Sequence, residues 1–281
     1  MKLTLNLVLA IIIVTISVAA LSSCANHDQP LSVPSPSPTP TPLPSQMALE
    51  DAVAKDVITA SARGVDVERM TLRIGCSRAT TIVIPVGTLF TSADANTQNM
   101  ISARTVRVAC VESPTPVIKS VDVEVYCINR FKDAPTKTSQ FQMSSLSETD
   151  PVRELDACLE NKKAEHSVRQ LAIWMISDDY LDLTQDEVEA KLKQHYEEDV
   201  QKQLNQDKSK VLREFRKKVP ELSGQSDEEV LSAIQQLNHV LAAKYAREDV
   251  ANYHDKAGPL LRECGIAISS KKFFQSTISQ G

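Results

Sequence analysis

The sequence predicts an α+β protein: a small antiparallel β-sandwich or barrel, followed by a helical subdomain that carries an inserted helical hairpin. Two observations predict it. Between residues 71 and 127 lie short runs rich in β-branched residues: TLRIGC (71–76), TTIVIP (80–85), RTVRVAC (104–110) and VDVEVYC (121–127). Their apolar and polar residues largely alternate, as in half-buried strands. From residue 151 onward the pattern is helical, with two capping-box signatures, TQDE (184–187) and SDEE (226–229).

The first residues form a targeting signal and stand outside the fold. Lys2 supplies a positive start and residues 7–21 an apolar run, shorter than the ~18 residues expected of a spanning helix. The run ends in LSSC (21–24), which resembles the bacterial lipobox, in which the cysteine receives lipid and becomes the new N-terminus. Residues 1–23 are thus expected to be a lipoprotein signal peptide, with Cys24 tethering the chain to a membrane. An ordinary secretory signal or an uncleaved anchor is the competing reading. Ala25 stands where a retention signal would carry Asp, so the expected location is the extracytoplasmic envelope: the outer membrane, or the outer face of a single plasma membrane. Residues 24–46 contain PLSVPSPSPTPTPLPS (30–45), a tract that favours extended polyproline II at ~3.1 Å per residue and acts as a stalk.

The head spans residues 47–281. Residues 47–62 have helical spacing without a breaker and are expected to form a helix. The four strands follow, separated by turn-forming residues at Gly87, at 92–94 and at 114–116. Pro151 opens a helix, and a second spans about 166–177. The TQDE box starts a long charged helix to about residue 219, broken at Pro220 and Gly224. The SDEE box starts another, to about 246. Their Lys and Glu residues at i, i+4 spacing suit a solvated hairpin, an insertion over 183–255. A short helix, KAGPLLREC (256–264), closes the head.

Composition excludes several functions. A net charge of −5 argues against a general nucleic-acid binder, and the 7 glycines form no GxGxxG or phosphate-cradling loop. His166, His195, His239 and His254 lack HxxxH and HExxH spacing, and the cysteines lack CxxC, so no metal and no cofactor is expected. No GxSxG supports a serine hydrolase. The paired carboxylates Asp178-Asp179 and Glu197-Glu198 are adjacent and point to different faces of a helix surface.

Outside the cytoplasm cysteines tend to pair, and beyond Cys24 the count is odd: Cys76, Cys110, Cys127, Cys158 and Cys264. Connectivity is not readable from sequence. The setting suggests Cys76 with Cys110, both at strand ends, and Cys158 with Cys264, both on helices, leaving Cys127 unpaired. A different pairing with another free thiol stands as the alternative. The sole tryptophan sits in RQLAIW (169–174), where Gln170 and Trp174 share a helical face. The simplest reading makes Trp174 core and Gln170 its margin.

Two fragments match one family. VYCINR (125–130), with Pro135 downstream, resembles the YCI segment of the thioester domains of bacterial surface proteins. RQLAIW resembles their TQxAIW motif, with Arg169 in place of its threonine. AGPLLRECGI (257–266) resembles the short helix that ends such domains. The likeness covers roughly residues 80–180 and 257–266. It implies an internal thioester between Cys127 and Gln170, shielded by Tyr126 and Trp174; the disulfides expected beside it are those that the cysteine setting suggests, Cys76–Cys110 and Cys158–Cys264. It also implies a single-use covalent binder, not an enzyme, that captures an amine on a protein or polyamine partner. The rival is a lipid-anchored envelope interaction or structural protein without a thioester, using the hairpin as its surface.

Overall fold

A computed structural model describes residues 45–275. The signal peptide, Cys24 and the stalk to residue 44 lie outside the described residues. The chain divides into two compact units, one of residues 196–241 and the other of 45–195 with 242–275.

The larger unit holds nine strands. β1 (Gln46–Ala48) pairs in parallel with β4 (Thr80–Ile84), which pairs antiparallel with β7 (Val106–Cys110), giving a three-stranded sheet. The other six strands close an antiparallel barrel in the order β2-β3-β8-β6-β5-β9. They are β2 (Ile58–Gly64), β3 (Arg69–Cys76), β5 (Thr88–Ser92), β6 (Asn99–Ser102), β8 (Val117–Ile128) and β9 (Gln140–Ser145). Alternation explains the fill: Met70, Leu72 and Ile74 of β3, like Val123, Val125 and Cys127 of β8, all enter one buried apolar cluster.

The helix expected over 47–62 is overturned. Only Leu49–Ala54 is helical (α1); Asp56 takes a left-handed φ of 53°, and Ile58–Gly64 becomes β2. The physical reason is tertiary: every residue of that strand pairs with β3, which outweighs a locally helix-compatible pattern. The mixed α+β class with a β-barrel is the observed architecture.

The helices then follow. α2 (Pro151–Leu159) is capped by the Asp150 carboxylate, which accepts from the Val152 amide at 2.9 Å, with Pro151 inside the first turn. α3 (His166–Ser177) lays Gln170, Ala172, Ile173 and Met175 on its buried side. α4 (Gln185–Lys218) opens with the expected capping box, Thr184 and Glu187 bonding reciprocally, and is interrupted at Asp207. α5 (Asp227–Asn252) opens with its own box, Ser226 with Glu229. It runs on past residue 246 into a π-helical turn, Tyr253–Ala257, before α6 (Gly258–Glu263). α7 (Lys272–Gln275) ends the described chain.

In the smaller unit, Leu204, Leu212, Val230 and Ile234 form a separate core. Two disulfides form, Cys76–Cys110 and Cys158–Cys264, in the pairing that the cysteine setting suggested. The first joins the barrel to the three-stranded sheet. The second ties α2 to the residue after α6 across 106 positions of sequence.

Candidate functional site

The barrel's ladder explains how the site is placed. On β8 the Val125 amide donates to the Glu68 carbonyl at 2.9 Å, so the odd-numbered backbone groups here face the β3 side. β3 begins at Arg69, and beyond Glu68 the chain turns away. The next pair of backbone groups on that side, those of Cys127, would lack a partner. The carboxamide of Gln170 takes the vacant ladder position. The Cys127 amide donates to Gln170 Oε1 at 2.9 Å, and Gln170 Nε2 donates to the Cys127 carbonyl at 2.7 Å. Two residues separated by 43 positions are thus clasped together, with Gln170 8 % and Cys127 2 % exposed. That answers why a polar amide shares a helical face with tryptophan: it finishes a sheet.

Cys127 is the unpaired cysteine among the described residues. Its thiol donates to the Val67 carbonyl at 3.4 Å, and burial, helped by the charges of Asp66 and Glu68, pushes it up to about 12. The sulfur therefore stays protonated at neutral pH.

The two expected shielding residues behave differently. Trp174 packs against the apolar cluster that contains Cys127. Tyr126 is fully buried but, as the next residue on an extended strand, it leaves the opposite face from Cys127. There it stacks on His166 with ring centroids 4.8 Å apart, and its hydroxyl meets Arg169 Nη1 at 3.4 Å. Tyr126 covers the helix-facing side of β8 and Trp174 the barrel side. Arg169, the residue that replaces the motif's threonine, also donates to the Lys162 carbonyl at 2.6 Å.

Sequence reasoning missed two residues at this site. Arg130 lies three positions after Cys127, and its guanidinium sits over the Trp174 indole, 4.4 Å from the ring centroid. It also donates to Tyr253 Oη at 2.7 Å and pairs with Asp249, while its backbone amide donates to Asp178 at 3.3 Å. Its place in VYCINR was the one available signal. The other is Asp156 on α2, fully buried, with neither carboxylate oxygen holding a hydrogen bond among the described residues. Burial pushes its carboxyl up to about 8, despite the nearby Gly87 amide, which donates to Ser102 instead, and the charge of Arg169. No pattern in the sequence marks it.

Among the described residues no group of three or more His, Cys, Asp or Glu side chains is arranged to hold a metal ion. The chemistry on offer is that of a buried thiol beside a clasped carboxamide. Comparison with protein-family models, with curated proteins and with solved structures finds no match.

Proposed function

We propose that the protein is an exported, lipid-anchored surface protein whose head carries an internal Cys127–Gln170 thioester and captures an amine on a partner covalently. The observation that carries this reading is the clasp: the one free cysteine of the described head has its backbone gripped at two points by the only carboxamide that the resemblance nominates. The lipid on Cys24 and the stalk would present that head away from the membrane.

The chemistry balances. Cys127 Sγ attacks Gln170 Cδ, the Cδ–Nε2 bond breaks, and ammonia departs with the thiol proton. The Cys127 amide that bonds Oε1 at 2.9 Å is positioned to polarise the carbonyl and to stabilise the developing oxyanion. Holding thiol and amide on adjacent elements supplies the proximity that an amide electrophile needs. Burial that disfavours the thiolate also protects the product, because opening the acyl bond would release a thiolate in the same apolar surroundings. An amine then attacks Cδ, forms a stable amide and returns the thiol to Cys127. The bond is spent once, so the protein is a reactive binder and not an enzyme.

One observation favours a second reading. The clasp satisfies two backbone groups that β3 leaves behind, which is a structural role complete in itself. On that reading the protein is a non-covalent, lipid-anchored envelope interaction or structural protein.

The intact mass of residues 46–281, purified without reductant, separates the two. A mass one ammonia short of the disulfide-corrected value, absent in Gln170→Ala and converted to a methylamine adduct at Gln170, supports the tether. A full mass, with Cys127 alkylated on unfolding, leaves the structural clasp alone.

A further inference from the structure

This inference rests on the thioester reading and concerns which amine opens the bond. The turn at residues 65–68, between β2 and β3, lies directly against Cys127: the Val67 carbonyl accepts from its thiol at 3.4 Å, and Glu68 holds the Val125 amide two residues back. Val67 is 46 % exposed, so this turn is what stands between the sulfur and solvent on that side. The turn carries two carboxylates. Asp66 is occupied within it, accepting from the Glu68 amide at 3.0 Å and from Arg69 Nε and Nη2 at 3.0 and 2.7 Å. Glu68 is exposed, and its carboxylate has no hydrogen bond or ion pair among the described residues. Arg69, bonded to Asp66, also attracts Glu68, so the two carboxylates and one guanidinium of residues 66–69 keep a net charge of −1 beside the buried thiol. A charge so placed raises the local concentration of a cation and disfavours an anion.

We propose that Glu68 makes the site selective for cationic primary amines, the lysine side chain being the protein form, over neutral nucleophiles. The ammonium is drawn to the 65–68 turn, loses one proton to solvent and attacks Gln170 Cδ through its lone pair. The Cδ–Sγ bond breaks with its electron pair going to sulfur, and a second proton passes from nitrogen to Cys127. Glu68 is a specificity-determining residue here, and Cys127 and Gln170 remain the reacting groups.

The test compares opening rates of the thioester by methylamine, a cation at neutral pH, and by methoxyamine, which is neutral there, read by intact mass. In Glu68→Gln, methylamine opening is expected to slow about tenfold at low ionic strength, with methoxyamine opening unchanged. Glu68→Lys is expected to slow methylamine further, and added salt to narrow the methylamine differences. Equal effects on both probes, or none, overturn the inference while leaving the thioester intact. A wild-type chain that retains its ammonia overturns both.

Discussion

The guanidinium carbon of Arg130 lies over the indole of Trp174, 4.4 Å from the ring centroid, with the same guanidinium bonded to Tyr253 and Asp249. One side chain thus pins the tryptophan from the strand end while anchoring the turn of helix that follows α5. Cation–π contact with partial desolvation is worth about 1–2 kcal/mol, and breaking a mostly buried ion pair costs more. Arg130→Gln is expected to destabilise the head by about 2–4 kcal/mol and to alter the emission of the single tryptophan. Arg130→Lys keeps the charge but loses the planar guanidinium and its fork of donors, so an intermediate loss is expected. Urea unfolding followed by Trp174 fluorescence reads both.

The clasp of Gln170 has a stability value that is separable from any covalent bond. In a Cys127→Ser background no thioester forms. Adding Gln170→Ala there leaves the residue 127 amide and carbonyl without their partner, at a cost of about 1–3 kcal/mol. A double mutant as stable as the single one would mean that water or a neighbour replaces the amide.

Asp156 gives the stability a pH dependence with a definite sign. Its carboxyl titrates at about 8 in the fold and in the ordinary carboxylate range when unfolded. Between those two values the unfolded chain has lost a proton that the folded chain keeps, so stability falls as pH rises through this window and levels off above about 8. Asp156→Asn, neutral at every pH, is expected to be more stable than the wild type at pH values above that plateau. The gain should reach several kcal/mol, since each tenfold difference in proton affinity between folded and unfolded chain is worth ~1.4 kcal/mol. The advantage should shrink steadily below about 8 and vanish only when the pH falls into the ordinary carboxylate range, at about 4. Denaturant midpoints of the two proteins measured across that range should separate with rising pH in favour of the variant; separation in favour of the wild type, or parallel curves, would show the sign to be wrong.

Cys158–Cys264 closes a loop of 106 residues. Loop entropy assigns such a bridge ~4–5 kcal/mol, and native disulfides usually contribute about 2–5. Replacing both cysteines with serine is expected to lower the unfolding midpoint accordingly. Cys76–Cys110, closing 34 residues, is expected to cost less when removed.

The strands that alternate strongly, such as VDVEVYC, and both capping boxes were readable because local chemistry dictates them. β9, with the sequence QFQMSS, closes the barrel while burying fully only Phe141, so it left little trace in the sequence. Ile58–Gly64 is a strand because β3 and β9 flank it, which no window of sixteen residues around it encodes. At the site, the two motifs nominated Cys127 and Gln170. Their geometry depends on where β3 leaves the ladder, a property of the assembled sheet. The clasp was therefore visible only once the register at Val125 and Glu68 was known.

The bridge between Cys158 and Cys264 has a consequence for a cut chain. The larger compact unit is discontinuous, its two parts separated in sequence by residues 196–241. A protease that nicked the intervening helices would produce two polypeptides, one ending and the other beginning within the excursion. Since Cys158 lies before it and Cys264 after it, the fragments would remain one molecule until reduced. On a gel the nicked protein would migrate as an intact chain without thiol and as two bands with it. The excursion can thus be trimmed, exchanged or lengthened without setting the C-terminal segment loose.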